Sequence, residues 1–150
     1  MTKVVLDANV YVSALVFGGA PQKLLDLILS QNVSLYISPS IMDEVEGVLR
    51  KKFGWTQADA TRFLPRLWER CTIIKPEVRL AISPDPDDNH VLECAQPARA
   101  DFLITGNTKH FPKTHKATKV ISDRQFSTHS CPEERSHKAA AARWAKAKKD

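Results

Sequence analysis

Carboxylates and hydroxyls in this sequence gather at three places, each just outside a short apolar run. Asp7 and Asn9 close the run Val4-Val5-Leu6; Asp85, Asp87 and Asp88 lie in the stretch opened by Ser83-Pro84; Thr105-Gly106-Asn107 follows Phe102-Leu103-Ile104. Taken singly, each has an ordinary structural use. An aspartate after a strand caps the next turn with its own side chain. Asp85, just before Pro86, is placed to cap a helix, with Asp88 at the third helical position, where a carboxylate suits the helix dipole. Taken together they raise a question of charge. Carboxylates about 4 Å apart repel by roughly 4 kcal/mol at an effective dielectric of 20, so a fold that gathers several must offset the repulsion with something positive. Carboxylate oxygens are hard ligands that suit Mg²⁺ or Mn²⁺. Such an ion activates water and steadies the charge on a phosphate under in-line attack.

The three places meet only if the strands before them lie side by side. Val4–Leu6, Val33–Ile37, Thr72–Lys75, Phe102–Ile104 and Lys119–Ile121 read as short buried strands. Helical patterns separate them. Pro21 is placed to open a helix buried through Leu24, Leu25, Ile28 and Leu29. Ser38 or Ser40 caps a second, whose apolar positions are Ile41, Met42, Val45, Val48 and Leu49. Thr56 and Asp59 open a third, in which Pro65 predicts a kink or a break into two. A fourth carries Val91, Leu92 and Ala95. Strands alternating with helices imply right-handed crossovers and covered faces. The expected fold is an α/β three-layer sandwich, with a central parallel sheet of about five strands. In such sheets ligands bind beyond the carboxyl ends of the strands, and the acidic and polar clusters sit at those ends if the first strand is central.

Length and composition narrow the class. The 150 residues suffice for one core, read as a domain over residues 1–126 and a basic, Ala/Lys-rich extension over 127–150, weakly helical or flexible. The domain carries 16 Lys+Arg against 14 Asp+Glu, and the extension 6 against 3. A mild positive balance suits a polyanion without proving one. No apolar run approaches the roughly 18 residues of a membrane span, and the start MTKVVLDANV lacks the features of a secretory signal. Three cysteines without a C-x-x-C pair fit a reducing cytoplasm, and Cys94, inside an apolar helical stretch, reads as buried and inert. His129, Cys131 and His137 in the extension lack a zinc-site spacing.

As a set, VVLDANVYVSAL, SPSIMDEVEGVLRKKF, SPDPDDNHVLECA and ADFLITGNTKHFP resemble the PIN-domain nucleases. The likeness covers about residues 3–126 and is nearest to the VapC-like branch of toxins from bacterial toxin–antitoxin pairs. The resemblance implies metal ligation by Asp7, Glu44 and Asp88, which it also makes the catalytic residues. Asn9 supports the first loop, Asp85 adds a further acidic group, and Thr105 positions the phosphate or the acidic cluster. Helical geometry does not itself choose Glu44 over Glu46, since both flank the apolar face centred near Val45; that choice rests on the likeness. Where many members carry aspartate this chain has Asn107, a neutral oxygen donor, so one tightly bound ion is expected rather than two.

The likeness further implies hydrolysis of RNA phosphodiester bonds with Mg²⁺ or Mn²⁺, by water attack assisted by Asp7 or Asp88 as base, leaving a 5′-phosphate. It also implies a small antitoxin partner and a homodimer, with no membrane. Lys109 and His110, after Asn107, are candidates for the RNA backbone, as are Lys51 and Lys52; all four suit solvated positions equally well. Three other readings compete: an RNA-processing nuclease without an antitoxin, a domain that has lost catalysis and binds nucleic acid or protein, and a DNA nuclease using the same metal chemistry.

Overall fold

Val4, Val5 and Leu6 are all fully buried in the computed structural model, which describes residues 2–30 and 33–129. Neighbouring strand residues point to opposite faces, so both faces of this strand are covered, as in a parallel sheet between layers of helices. The chain runs β1 (Thr2–Leu6), α1 (Ala8–Val16), α2 (Gly19–Ser30), β2 (Val33–Ile37), α3 (Pro39–Lys52), α4 (Gln57–Trp68) and β3 (Thr72–Ile73). It continues through α5 (Pro86–Ala98), β4 (Phe102–Ile104), a 3₁₀ turn at Thr108–His110, β5 (Thr114–His115), β6 (Thr118–Ile121) and α6 (Asp123–His129). The strand order is β3-β2-β1-β4-β6-β5, parallel except for the β5–β6 pair. β1 is therefore central, and the direction of winding reverses across it. This is the expected three-layer α/β fold.

The five expected strands are present, and a sixth joins them. β5 is a two-residue antiparallel edge reached by a turn through Lys116, whose φ is +54°. Two residues carry no hydrophobic period, so nothing in the sequence marks it. β3 stops at Ile73, although the Ile74 N–H still donates to Ile37 O at 2.8 Å.

The helix starts follow local chemistry. Ser38 caps α3 by accepting from the Ile41 N–H (3.4 Å), with Pro39 in the first helical turn. Thr56 and Asp59 form a reciprocal capping box on α4. That helix runs unbroken through Pro65, so the expected break into two helices does not occur. The carbonyl that Pro65 cannot satisfy belongs to Thr61, which is exposed and open to water. α2 begins at Gly19 rather than at Pro21. Gly18 and Gly19 take φ of +71° and +63°, which glycine adopts without Cβ strain, where α1 and α2 meet at 110°. Pro21 then falls in the first turn, whose N–H groups have no helical partner in any case.

The core joins β1, β4 and the inner faces of α1, α2, α3 and α5. Tyr11 is fully buried and meets Trp68 edge-on, with ring centroids 5.6 Å apart. Burial pushes the Cys94 thiol up to about 12, in keeping with an inert role. Leu103, fully buried in the middle of β4, is expected to lose about 2–5 kcal/mol on replacement by alanine. Urea unfolding measures that loss, and a change under 1 kcal/mol contradicts this packing. No single helix among the described residues is long and apolar enough to cross a membrane. α6 reaches three residues past 126, to His129. The rest of the basic extension, with Cys131, His137 and Trp144, lies outside the described residues.

Candidate active site

The strand register brings two of the three polar places into contact. Leu6 pairs with Ile104, so Asp7 and Thr105 are the next residues on adjacent parallel strands. The Thr105 hydroxyl donates to Asp7 Oδ2 at 2.8 Å and accepts from the Asn107 N–H at 3.1 Å. Asp7 Oδ1 accepts from the Asn9 N–H at 3.3 Å, which makes Asp7 the cap of α1. Asp7 thus has the structural role open to it and more, because a cap does not require burial and this carboxylate is only 6% exposed. Burial raises its pKa, against the lowering effect of the Thr105 and Asn9 hydrogen bonds, and the Asp88 charge raises it further.

The third place arrives on α5. Asp85 caps this helix by accepting from the Asp87 N–H at 3.0 Å, with Pro86 first in the helix. Asp88 is buried on its inner side, where Oδ2 accepts from the Ser83 hydroxyl at 3.0 Å. His110 Nδ1 stands 3.9 Å from the same oxygen, close but beyond hydrogen bonding.

Glu44 reaches this region from α3. The structure separates it from Glu46, which is exposed and lines a hollow of about 560 Å³ on the outer side of α3. Glu44 Oε2 is buried and has no hydrogen-bond partner. Burial is the main cause that pushes its pKa to about 7, followed by the charges of Asp87, Asp7, Asp85 and Asp88. Glu44 thus feels every acid of the other two clusters. An unpartnered carboxylate oxygen among four aspartates is electrostatically unfavourable by itself.

This has a consequence for stability. A raised folded-state pKa means that the folded protein holds the proton more tightly than the unfolded chain does. The stabilisation is complete below the ordinary glutamate value of 4.5 and is lost as pH rises through about 7. For this half-buried side chain the loss is about 1–2 kcal/mol once solvent screening is allowed for. Thermal unfolding of the metal-free protein from pH 5 to 8 is expected to show that decline; a midpoint that rises across this range contradicts it.

The donors fit a hard divalent cation. They are carboxylate oxygens, one of them buried without a partner, and their mutual repulsion is what such an ion offsets. Among the described residues no three acidic, imidazole or thiol groups are already closed around a common centre. The carboxylates interact electrostatically, Glu44 with Asp87, Asp7, Asp85 and Asp88.

The remaining candidates lie at the rim. Asn107, Lys109 and His110 are exposed, and the Asn107 contact is made by its backbone N–H. Lys51 and Lys52 close α3, about 11 Å of helix beyond Glu44, where they complement the helix dipole. Three residues of this region went unassigned in the sequence. Asp87 is the leading charge on Glu44, yet beside Asp88 it offers no distinguishing spacing. Ser83 and Asn89 hold the loop before α5; their signal is a serine and an asparagine either side of a proline-punctuated acidic run.

The sequence matches the PIN domain family over residues 3–109. This chain belongs to the PIN-domain family. A relative in that range of similarity, an uncharacterized protein of Methanocaldococcus jannaschii, is 35% identical over 111 residues, covering 70% of each chain. The fold is similar to that of a chain in the crystal structure of VapBC2 from Rickettsia felis bound to a DNA fragment from their promoter. The TM-score is 0.60 at 20% identity, over 81% of this chain and 98% of that one. That likeness is one of fold. In this PIN domain, Asp7, Thr105 and the acidic start of α5 meet in the crevice where the winding reverses, which is where open α/β sheets place their ligands.

Proposed function

We propose that this PIN domain is a divalent-metal-dependent endoribonuclease and the toxin of a type II toxin–antitoxin pair. The observation that carries the nuclease reading is the buried, unpartnered Glu44 Oε2 under the charges of Asp7, Asp85, Asp87 and Asp88. A binding module has no need to bear that repulsion, whereas a cation site explains it.

Asp7, Glu44 and Asp88 hold the ion, and Asp85 contributes negative potential at the mouth of the site. Mg²⁺ or Mn²⁺, when bound, supplies Lewis acidity toward water and the phosphate oxygens. Thr105 keeps Asp7 in one orientation, and Asn9 fixes its other oxygen through the α1 cap. Asp7 or Asp88 takes the proton from the attacking water, each within a partly buried setting that holds its geometry. Lys109 and His110 meet the RNA backbone from the exposed 3₁₀ turn. One ion is expected, because Asn107 contributes an exposed amide where a carboxylate would add charge; two equally tight sites in a Mn²⁺ titration contradict this.

The toxin assignment draws on the fold shared with the VapBC2 chain. An antitoxin then covers the acidic crevice, and the active form is a cytoplasmic homodimer. The substrate class is tested with labelled single-stranded RNA and DNA of the same sequence, incubated with the purified protein and Mn²⁺. The account expects cleavage of the RNA, leaving 5′-phosphate ends. Equal cleavage of the DNA overturns the RNA assignment. Growth arrest on expression, relieved by co-expressing a neighbouring gene, tests the toxin role, and unaffected growth counts against it.

A further inference from the structure

The chain from Ile82 to Asn89 closes on itself through side chains rather than through a strand or helix ladder. Asn89 is 7% exposed, and its amide replaces a missing backbone neighbour. Oδ1 accepts from the N–H groups of Ile82 (3.0 Å) and Ser83 (2.8 Å), while Nδ2 donates to the Ser83 carbonyl at 2.8 Å. Only a group with both an acceptor and a donor makes these three bonds, so an aspartate or a leucine at this position leaves the loop partly unsatisfied. The result is a Ser83 backbone clamped on both its N–H and its C=O.

The clamp directs one hydroxyl. Ser83 Oγ accepts from the Asp85 N–H at 3.3 Å, and its single proton goes to Asp88 Oδ2 at 3.0 Å. His110 approaches that same oxygen. The hydroxyl bond and the imidazole approach thus both fall on Oδ2, and among the described residues no hydrogen bond is made to Oδ1. A helix cap alone does not call for this arrangement, since Asp85 already caps α5 without Ser83 touching Asp88.

We propose that Ser83 is a positioning residue for the metal centre: clamped by Asn89, its hydroxyl holds Asp88 by Oδ2 and presents Oδ1 to the divalent cation. The proposal rests on the nuclease reading above, since it takes Asp88 as a ligand. It assigns a role to a residue that touches neither the cation nor the RNA. Groups that orient a ligating carboxylate typically change metal affinity by about 10–100-fold when removed.

The test is calorimetric titration of the full chain with Mn²⁺ alone, for wild type, Ser83→Ala and Ser83→Thr, beside the thermal midpoint of each metal-free protein. The expected result is an affinity lower by about 10–100-fold in Ser83→Ala, largely restored in Ser83→Thr, with all three proteins folded. Wild-type affinity in Ser83→Ala overturns the proposal and leaves the nuclease reading standing. Equal losses in the alanine and threonine variants, tracking a fall in thermal midpoint, also overturn it, because the side chain then serves only the loop. A wild-type protein that binds no Mn²⁺ overturns the nuclease reading itself, and the proposal with it.

Discussion

Replacing Glu44 by glutamine is expected to stabilise the metal-free protein and abolish its divalent-cation binding. The side chain keeps its shape but loses the charge that burial and four aspartates oppose. Its new N–H₂ group can donate to the surrounding carboxylates, which the glutamate cannot do while ionised. At pH 8 the gain is about 1–2 kcal/mol after allowance for solvent screening, a rise in thermal midpoint of about 2–8 °C for a chain of this size. At pH 4, below the ordinary glutamate value of 4.5, the two proteins should melt together. Excess Mn²⁺ raises the wild-type midpoint by mass action and leaves the variant unmoved. A variant less stable than wild type at pH 8 would falsify the electrostatic account of this side chain. Greater stability gained by removing a conspicuous charge is the mark of a group kept for chemistry at some cost to the fold.

Asp7→Asn separates chemistry from structure in the opposite way. Asparagine still caps α1 when its carbonyl oxygen takes the Oδ1 place, and its N–H₂ group then stands where Oδ2 was and donates to the Thr105 hydroxyl oxygen, so the contacts seen at 3.3 and 2.8 Å each keep a partner. What disappears is the negative charge, and with it both ligation and the capacity to take a proton. Cleavage is expected to fall by about 10²–10⁴-fold in a protein whose circular dichroism is unchanged and whose thermal midpoint is equal or higher. Asp7→Ala removes cap and ligand together, and should lower the midpoint as well. If Asp7→Asn retains more than a tenth of wild-type cleavage, Asp7 is a structural cap and the assignment of the site fails.

The sequence carried most of the scaffold because short buried strands and capped helices each leave a local record. Val4-Val5-Leu6 ending on Asp7, Ser38 before Pro39, the Thr56–Asp59 pair and Asp85 before Pro86 all appear in the structure as strand end or cap. What it could not carry was pairing at a distance. That Asp7 lies beside Thr105 depends on the register of β1 against β4, 98 residues apart in the chain, and no local pattern specifies it. Two-residue β5 has too little length for any period. Glu44 and Glu46 are equivalent on a helical wheel, and only the packing of α3 buries one and exposes the other. The partnership of Ser83 with Asn89 and Asp88 is not legible locally, since these hydrogen bonds exist only once the loop has closed.

The proposed activity of the acidic cluster around Asp7 is RNA cleavage with a divalent ion. The direct measurement is cleavage of a pool of labelled RNAs by the purified protein in Mn²⁺, in EDTA, and after Mn²⁺ is returned in excess, with Asp7→Asn purified identically beside it. The variant matters because a trace of contaminating ribonuclease would follow both preparations alike. Cleavage that vanishes in EDTA, returns with Mn²⁺ and is lost in Asp7→Asn is the predicted result. Cleavage that survives EDTA or matches between the two proteins contradicts it, as does a folded, Mn²⁺-loaded wild type that leaves every RNA intact.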